Sequence, residues 1–444
     1  MKNRKHITIE KIIAGGAGFG HLADGRVVLT PYVLPGEEVS ITIVKKHKDY
    51  AEARLQEVIS PSQHRVTPRC PHFTHCGGCD LQHAETDYQL GIKDAILREL
   101  LTRSGLVLPG DPGRVIQPPA ASPTPFEYRQ RIRLQVDRQT RKWGYFQTRS
   151  HTVEPIEQCP LARPTINATL DRIRTNPHFQ ALLKQAEGFE LIENPGSGRI
   201  LLLLHSLRKL RPADRKHAET VLTEHENLQN ILFKAPDQAL LKVRDSEADK
   251  LLNFVIPASD RLACRLDMTL EAGGFCQVNQ AQNLNLINML LEWTEPGSGD
   301  RILDLFCGMG NFSLPLATHA QEVLGMDLQR AAIRSAKRNR TLAGLENCNF
   351  EQFTALDGIQ NINRRGETFD IILLDPPRSG CREVIPHLAA TQARTIIYIS
   401  CNPSTLSRDL KELRETGYHL DRIRLVDMFP QTHHMEVITR LVRE

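Results

Sequence analysis

Arg301-Ile-Leu-Asp-Leu-Phe306, Cys307-Gly-Met-Gly-Asn311 and Phe312-Ser-Leu-Pro-Leu-Ala317 follow one another without a break. The first run reads as a buried strand, the second as a tight turn and the third as the start of a helix. Pro315 falls within the first turn of that helix, where a missing N–H costs little. Glycines in the turn let the backbone approach a ligand closely. The next apolar run, Glu322-Val-Leu-Gly-Met326, ends at Asp327, placed to take a pair of ribose hydroxyls. Two later runs also close on polar residues. Phe369-Asp-Ile-Ile-Leu-Leu-Asp375 continues into Pro-Pro-Arg378, and Thr395-Ile-Ile-Tyr-Ile-Ser-Cys401 into Asn402-Pro403. Strands alternating with helical segments predict an open α/β sheet, whose ligand crevice lies outside the carboxyl ends of its strands. Asp375 and Cys401 then face one cleft.

A dinucleotide site needs Gly-x-Gly-x-x-Gly, and the third glycine position is Ser313 here. S-adenosylmethionine has a cationic sulfonium and no pyrophosphate to cradle, so the loop predicts a Rossmann-like domain for that methyl donor. A cysteine at a strand end is either a buried, inert thiol or a nucleophile. Methylating an exocyclic nitrogen needs no nucleophile. Methylating C5 of a pyrimidine does, because that carbon becomes reactive only after a thiolate adds at C6. A base must then remove the C5 proton before the thiol can leave. Met428-Phe-Pro-Gln-Thr-His-His-Met-Glu436-Val-Ile-Thr-Arg-Leu-Val442 offers Glu436 for that task, where a loop enters a final strand. The plainer reading of Glu436 is a solvated charge beside a strand.

Upstream, Cys70-x5-Cys76-Gly-Gly-Cys79 gathers three thiols, and Gln158-Cys159-Pro160 could add a fourth. Structural zinc sites usually show paired Cys-x2-Cys spacing at two places. One trio with a distant fourth thiol is better suited to an iron–sulfur cage, while zinc stays open with His72, His75 and His83 nearby.

The 444 residues suggest two or three domains, and the net charge of +4 excludes a uniformly basic chain. Ten cysteines at ligand-like or catalytic spacings speak for a reducing, cytoplasmic compartment. No apolar run is long enough for a membrane span. Arg129, Arg131, Arg133, Arg138, Arg141, Lys142 and Arg149 crowd one stretch, interleaved with Phe126, Tyr128, Trp143, Tyr145 and Phe146. That pattern is an expected RNA surface, the alternative being a solvated face. Short strands around Gly15-Gly-Ala-Gly-Phe-Gly20, ending in a basic tip at Lys45-Lys-His-Lys48, predict a small N-terminal barrel. Residues 88–104 are helical by pattern, 109–125 form a Pro/Gly/Ser-rich break, and 160–250 are functionally mute.

Ser400-Cys-Asn-Pro403, Asp375-Pro-Pro-Arg378, Leu303-Asp-Leu-Phe-Cys-Gly-Met-Gly-Asn-Phe312, His434-Met-Glu436 and Gly274-Phe-Cys-Gln-Val-Asn279 together resemble the RNA uracil-5-methyltransferase family. The resemblance implies Cys401 as nucleophile and Glu436 as base. It implies Gln277, Phe306, Asn311, Asp327 and Asp375 along the S-adenosylmethionine and target-base pocket, with an adenine contact at Thr354 or at Asp357 three residues on. The cysteine trio with Cys159 resembles the [4Fe-4S] site of the ribosomal-RNA branch. Ala14-Gly-Gly-Ala-Gly-Phe-Gly20, with Pro35-Gly36-Glu37, resembles a TRAM domain, an OB-like RNA-binding module. The implied order is a TRAM barrel over 1–62, a cluster segment over 63–88, a helix and linker over 89–125, a mixed α+β central domain over 126–267 and the catalytic domain over 268–444. Barrel plus cluster imply 23S ribosomal RNA as substrate, with no obligate protein partner. A tRNA enzyme of the family would lack the cluster cysteines. Two other readings stand beside it. An N-methyltransferase would have an aromatic residue where Arg378 stands, and a non-catalytic RNA-binding factor would leave Cys401 and Glu436 without a task.

Overall fold

The computed structural model describes residues 4–107, 114–246 and 248–443. Residues 1–3, 108–113, 247 and 444 lie outside the described residues, positions 109–113 of the Pro/Gly/Ser-rich break among them.

The C-terminal sheet has seven strands in the order Cys348–Gln352, Glu322–Asp327, Arg301–Asp304, Ile371–Leu374, Thr395–Ser400, Glu436–Arg443, Tyr418–Val426. The first five run parallel. Glu436–Arg443 runs antiparallel between Thr395–Ser400 and Tyr418–Val426. Because successive side chains point to opposite faces, Ile302, Ile371, Leu373, Ile397 and Ile399 enter one core, and Leu303, Ile372, Leu374, Ile396 and Tyr398 enter another. Each fully buried aliphatic side chain contributes roughly 1.5–3 kcal/mol relative to exposure. The sheet is thereby a rigid base. Strand order reverses between Arg301–Asp304 and Ile371–Leu374, which places the crevice at Phe306 and Asp375.

The central sheet also has seven strands, Leu241–Lys242, Leu228–Lys234, Ile200–Ser206, Ala186–Glu193, Arg131–Val136, Trp143–Phe146 and Val153–Pro155 in spatial order. Its Ile192, Leu201, Leu203 and Leu232 join the same core as Ile302 and Ile371. The sheet is thus packed onto the catalytic one. The stretch 160–250, mute as sequence, supplies four of its strands and the helices Pro164–Arg174, Pro177–Leu183 and Pro212–Glu224 that cover it.

At the N-terminus, Lys5–Thr8 pairs with Glu38–Lys46, and the continuation Lys11–Ile12 pairs with Gly18–His21, which closes a barrel. The glycine run is itself partly strand. A Cβ on Gly20 would stand 2.5 Å from the Thr8 carbonyl oxygen, so only glycine fits where the two strands close. A long strand, Tyr50–Ser60, completes the sheet.

The basic stretch after Phe126 is divided between core and surface, with Arg133 and Arg149 among its exposed members. Tyr128 and Trp143 are buried, Trp143 edge-on to Phe179 and Phe189. Arg131 is paired with Glu190 at 2.5 Å and Arg149 with Glu52 at 2.5 Å. In a strand whose alternate residues Ile132, Leu134 and Val136 face the core, several of the cations serve packing and pairing. Arg138, Arg141 and Lys142 remain exposed at the hairpin tip. Among the described residues, no helix is long and apolar enough to cross a membrane.

Candidate active site

Strand Arg301–Asp304 delivers the glycine loop to the crevice. Asp304, buried beneath it, accepts a 2.6 Å hydrogen bond from Ser313 Oγ, and burial pushes its carboxyl up to about 7. Ser313, the missing third glycine, thus ties helix Ser313–Ala317 back to the strand. Gly310 adopts a φ of +86°, where L side chains are strained, and a Cβ there would meet Leu314 and Phe350 at 3.2 Å. The next strand ends at Asp327, whose carboxylate accepts from the backbone N–H of Gly308 at 3.1 Å and of Gln329 at 2.7 Å. It is fixed at the rim of the loop.

Gln277, Phe306, Asn311 and Asp375 line one cavity, with Gln130, Phe275 and Asn283 beside them. Asn311 and Asn283 exchange two 2.9 Å hydrogen bonds, which lock the loop to helix Gln280–Thr294. Gln130 Nε2 donates to the Gln277 carbonyl at 2.8 Å, and Arg131 Nη1 to the Gly274 carbonyl at 2.7 Å. The central domain therefore holds the Gly274–Asn279 segment over the crevice. Thr354 stands apart from this cavity. It is the N-cap of helix Ala355–Arg365, accepting from Asp357 N at 3.0 Å and donating to Asp357 Oδ2 at 2.7 Å.

Cys401 ends its strand half-buried, followed at once by helix Pro403–Glu415 with Asn402 as its N-cap. Burial pushes its thiol up, the charges of Glu436 and Asp375 add to that, and Arg378 opposes it. Glu436 is buried at the start of the neighbouring strand. Burial and Asp375 hold its carboxyl well above the usual range, with Arg378 again opposing. Asp375 itself is pushed up to about 7, first by burial and then by Asp304. Cys401, Glu436, Asp375 and Arg378 form one electrostatic group. The Asp375 charge disfavours ionisation of Glu436.

Arg378 is the residue whose site role the sequence reading did not assign. Its carbonyl accepts from Asn402 Nδ2 at 3.0 Å and from Thr405 Oγ1 at 3.1 Å. Farther along the loop, buried Asp409 accepts from Cys381 N at 2.9 Å and from the Tyr398 hydroxyl at 2.7 Å. The Asp375–Cys381 loop is therefore clamped by the helix that follows Cys401. The available signal was the Asp-Pro-Pro-Arg run itself, since two prolines stiffen the backbone that delivers the arginine.

A second cavity lies some way from this group. Cys70, Cys76, Cys79 and Cys159 line it together, with Arg129 and Tyr145. Among the described residues, no three His, Cys, Asp or Glu side chains converge closely enough to hold a metal ion. The four thiols face a shared space instead of meeting at one point. Arg129 Nε is buried there without a partner. Burial raises the thiols of Cys76 and Cys79 to about 11 and about 12.

Residues 120–444 match the model of the tRNA (uracil-5-)-methyltransferase family, and residues 4–55 that of the TRAM domain. The chain is 34% identical over 439 residues to the 23S rRNA (uracil(1939)-C(5))-methyltransferase RlmD of Pectobacterium atrosepticum, covering 97% of this chain and 92% of that one. It is 31% identical over 438 residues to the enzyme of the same name from Vibrio campbellii, covering 98% and 95%. The crystal structure of Pyrococcus abyssi tRNA (uracil-54, C5)-methyltransferase in complex with S-adenosyl-L-homocysteine superposes with a TM-score of 0.73 at 24% identity, over 98% of this chain and all of that one. That last likeness is one of fold.

Proposed function

Because this chain belongs to the tRNA (uracil-5-)-methyltransferase family, we propose that it methylates C5 of a uridine in 23S ribosomal RNA, with S-adenosylmethionine as donor. The observation that carries this reading is the grouping of Cys401, Glu436, Asp375 and Arg378 beside the glycine-loop cavity. Nitrogen methylation has no use for a thiol there. Ribosomal RNA is favoured over tRNA because relatives named for 23S rRNA match along almost the full length. With transcripts of both RNAs and labelled donor, label is expected in the 23S fragment and not in tRNA. The reverse distribution overturns the substrate.

In the proposed mechanism, the Cys401 thiolate adds to C6 of the uracil, and the Arg378 cation favours that thiolate. Charge moves onto C5, which takes the methyl group as the donor's S–CH3 bond breaks, leaving a neutral thioether, S-adenosylhomocysteine. Gln277, Phe306, Asn311 and Asp375 would line the donor and target-base pocket, with Asp327 at the rim of the glycine loop. Thr354, or Asp357 three residues on, is the proposed adenine contact. Glu436 then accepts the C5 proton, the C5–C6 double bond re-forms, the C6–S bond breaks and the thiolate returns. His434, two residues before Glu436, is pushed down to about 4, first by burial and then by the His433 and Arg378 charges. So weak a base is ill matched to the task.

We further propose that Cys70, Cys76, Cys79 and Cys159 hold a [4Fe-4S] cluster. A single zinc ion wants its sulfurs about 2.3 Å from one centre, whereas these thiols surround a cavity. Four thiolates on a cluster bring net negative charge, and the buried, unpartnered Arg129 Nε offers a compensating cation. When bound, the cluster supplies cross-linking of the segment 70–79 to Cys159. Methyl transfer from a sulfonium needs no electron from it. Protein purified without oxygen is expected to contain iron and acid-labile sulfide, and to lose both as Cys76→Ala or Cys159→Ala. Stoichiometric zinc without sulfide refutes the cluster.

A further inference from the structure

The loop from Asp427 to Met435 ends at the candidate base; beside local bonds from Thr432 to Phe429 and from His434 to Thr432, much of its fastening comes from remote parts of the chain. Buried Lys93 donates to Asp427 Oδ1 at 2.7 Å and to the Phe429 carbonyl at 3.0 Å. Gln89 donates through Nε2 to Gln431 Oε1 at 3.0 Å and accepts from Gln431 N at 2.9 Å. The Tyr128 hydroxyl donates to the Pro430 carbonyl at 3.1 Å. Nearest to Glu436, the fastening is made by the residue after the third cysteine of the trio. Asp80 Oδ1 accepts from His433 N at 2.7 Å, and Asp80 Oδ2 meets His433 Nδ1. The N–H groups of Asp80 and Leu81 donate to the Gln431 carbonyl at 3.3 and 3.1 Å. The His433 ring lies against His434, with centroids 4.2 Å apart. Gly16 of the barrel closes over the junction, since a Cβ there would reach His433 Cβ at 3.0 Å and Asp80 Oδ2 at 3.2 Å.

We propose that Asp80 is a positioning residue for the base: through His433 and the Gln431 carbonyl it sets where Glu436 stands relative to C5 of the uracil bound by Cys401. The inference rests on the reading of Glu436 as base and goes beyond it, because Asp80 lies outside the glycine-loop cavity and meets His433 instead. Cys401 and the glycine loop are held by other elements, the 403–415 helix and Asn283. Loosening Asp80 therefore acts late. Thiolate addition and methyl transfer proceed, while proton abstraction from C5, re-formation of the C5–C6 bond and expulsion of sulfur slow down. A displacement of about 1 Å at a reacting group costs on the order of 10²-fold. A slowing of elimination by roughly 10- to 100-fold is the corresponding expectation.

The test uses full-length Asp80→Ala, Asp80→Asn and His433→Ala proteins with ordinary uridine RNA and labelled donor, beside Glu436→Gln. Methylated covalent adduct on a denaturing gel, the first-turnover methyl transfer rate and iron content are measured for each. Asp80→Ala and His433→Ala are expected to accumulate labelled adduct with first-turnover transfer within about threefold of the parent. Asp80→Asn keeps an acceptor for His433 N and is expected to recover most of the release rate. Substitution at His433 leaves all four thiols and their neighbours in sequence untouched, so its behaviour decides if Asp80→Ala loses iron or fails to fold. Adduct in Glu436→Gln but none in His433→Ala overturns the positioning role. No adduct in Glu436→Gln overturns the reading of the base instead.

Discussion

Cys401→Ala protein is expected to transfer no methyl group to RNA and to form no covalent complex with RNA carrying 5-fluorouridine at the target. Fluorine at C5 cannot leave as a proton is removed, so the parent enzyme stops at the methylated adduct and remains attached. Without the thiol, C5 stays a poor nucleophile, and the fall in rate should be at least about 10⁴-fold, because the covalent step has no substitute in the site. The other cysteines lining the pocket, Cys276 and Cys307, are buried, and burial pushes both thiols up, so neither is a replacement. A Cys401→Ala protein that still methylates removes Cys401 from the chemistry. The change itself deletes only one sulfur from a half-buried position at the end of a strand whose preceding residues are all buried, so the fold should persist.

Glu436→Gln should behave differently. Addition and methyl transfer remain possible, but nothing takes the C5 proton efficiently. Ordinary uridine RNA is then expected to accumulate as a covalent complex already bearing the methyl group. Loss of a general base costs on the order of 10²–10⁴-fold in turnover, enough to make the complex visible with labelled donor. The isosteric amide also removes a buried ionisable group next to Asp375, which relieves repulsion and should not unfold the protein. Normal turnover in this variant makes Glu436 a bystander and returns attention to a water held in the site.

Much of the site was legible in the sequence because it sits at strand ends. An apolar run that stops at Asp327, at Asp375 or at Cys401 announces both the strand and the residue at its mouth, and the sheet order brings those mouths together. Glu436 was legible for the same reason from the other direction, as the first residue of an antiparallel strand. What escaped reading depends on partners remote in the chain. Asp80 and His433 are 353 positions apart, and no periodicity announces their contact. Strand Tyr50–Ser60 escaped because burial falls on Ala51 and Ala53 while its second half carries solvated polar residues, leaving no clean alternation. The pairing of Arg131 with Glu190 and of Arg149 with Glu52 escaped because nothing local announces it. Glycines 18 and 20 suggested turn where the close approach of strands in a barrel was the cause: a Cβ on Gly18 would lie 2.2 Å from Val33.

The most direct test of a covalent uracil-C5 mechanism follows the hydrogen that the methyl group displaces. A 23S ribosomal RNA transcript carrying tritium at C5 of its uridines is incubated with the protein and S-adenosylmethionine labelled in the methyl group. One tritium is expected to appear in water for each methyl group that enters RNA, and the digested RNA should yield its label as 5-methyluridine alone. Methyl incorporation without tritium release, with the label recovered on a ring or exocyclic nitrogen, contradicts the account.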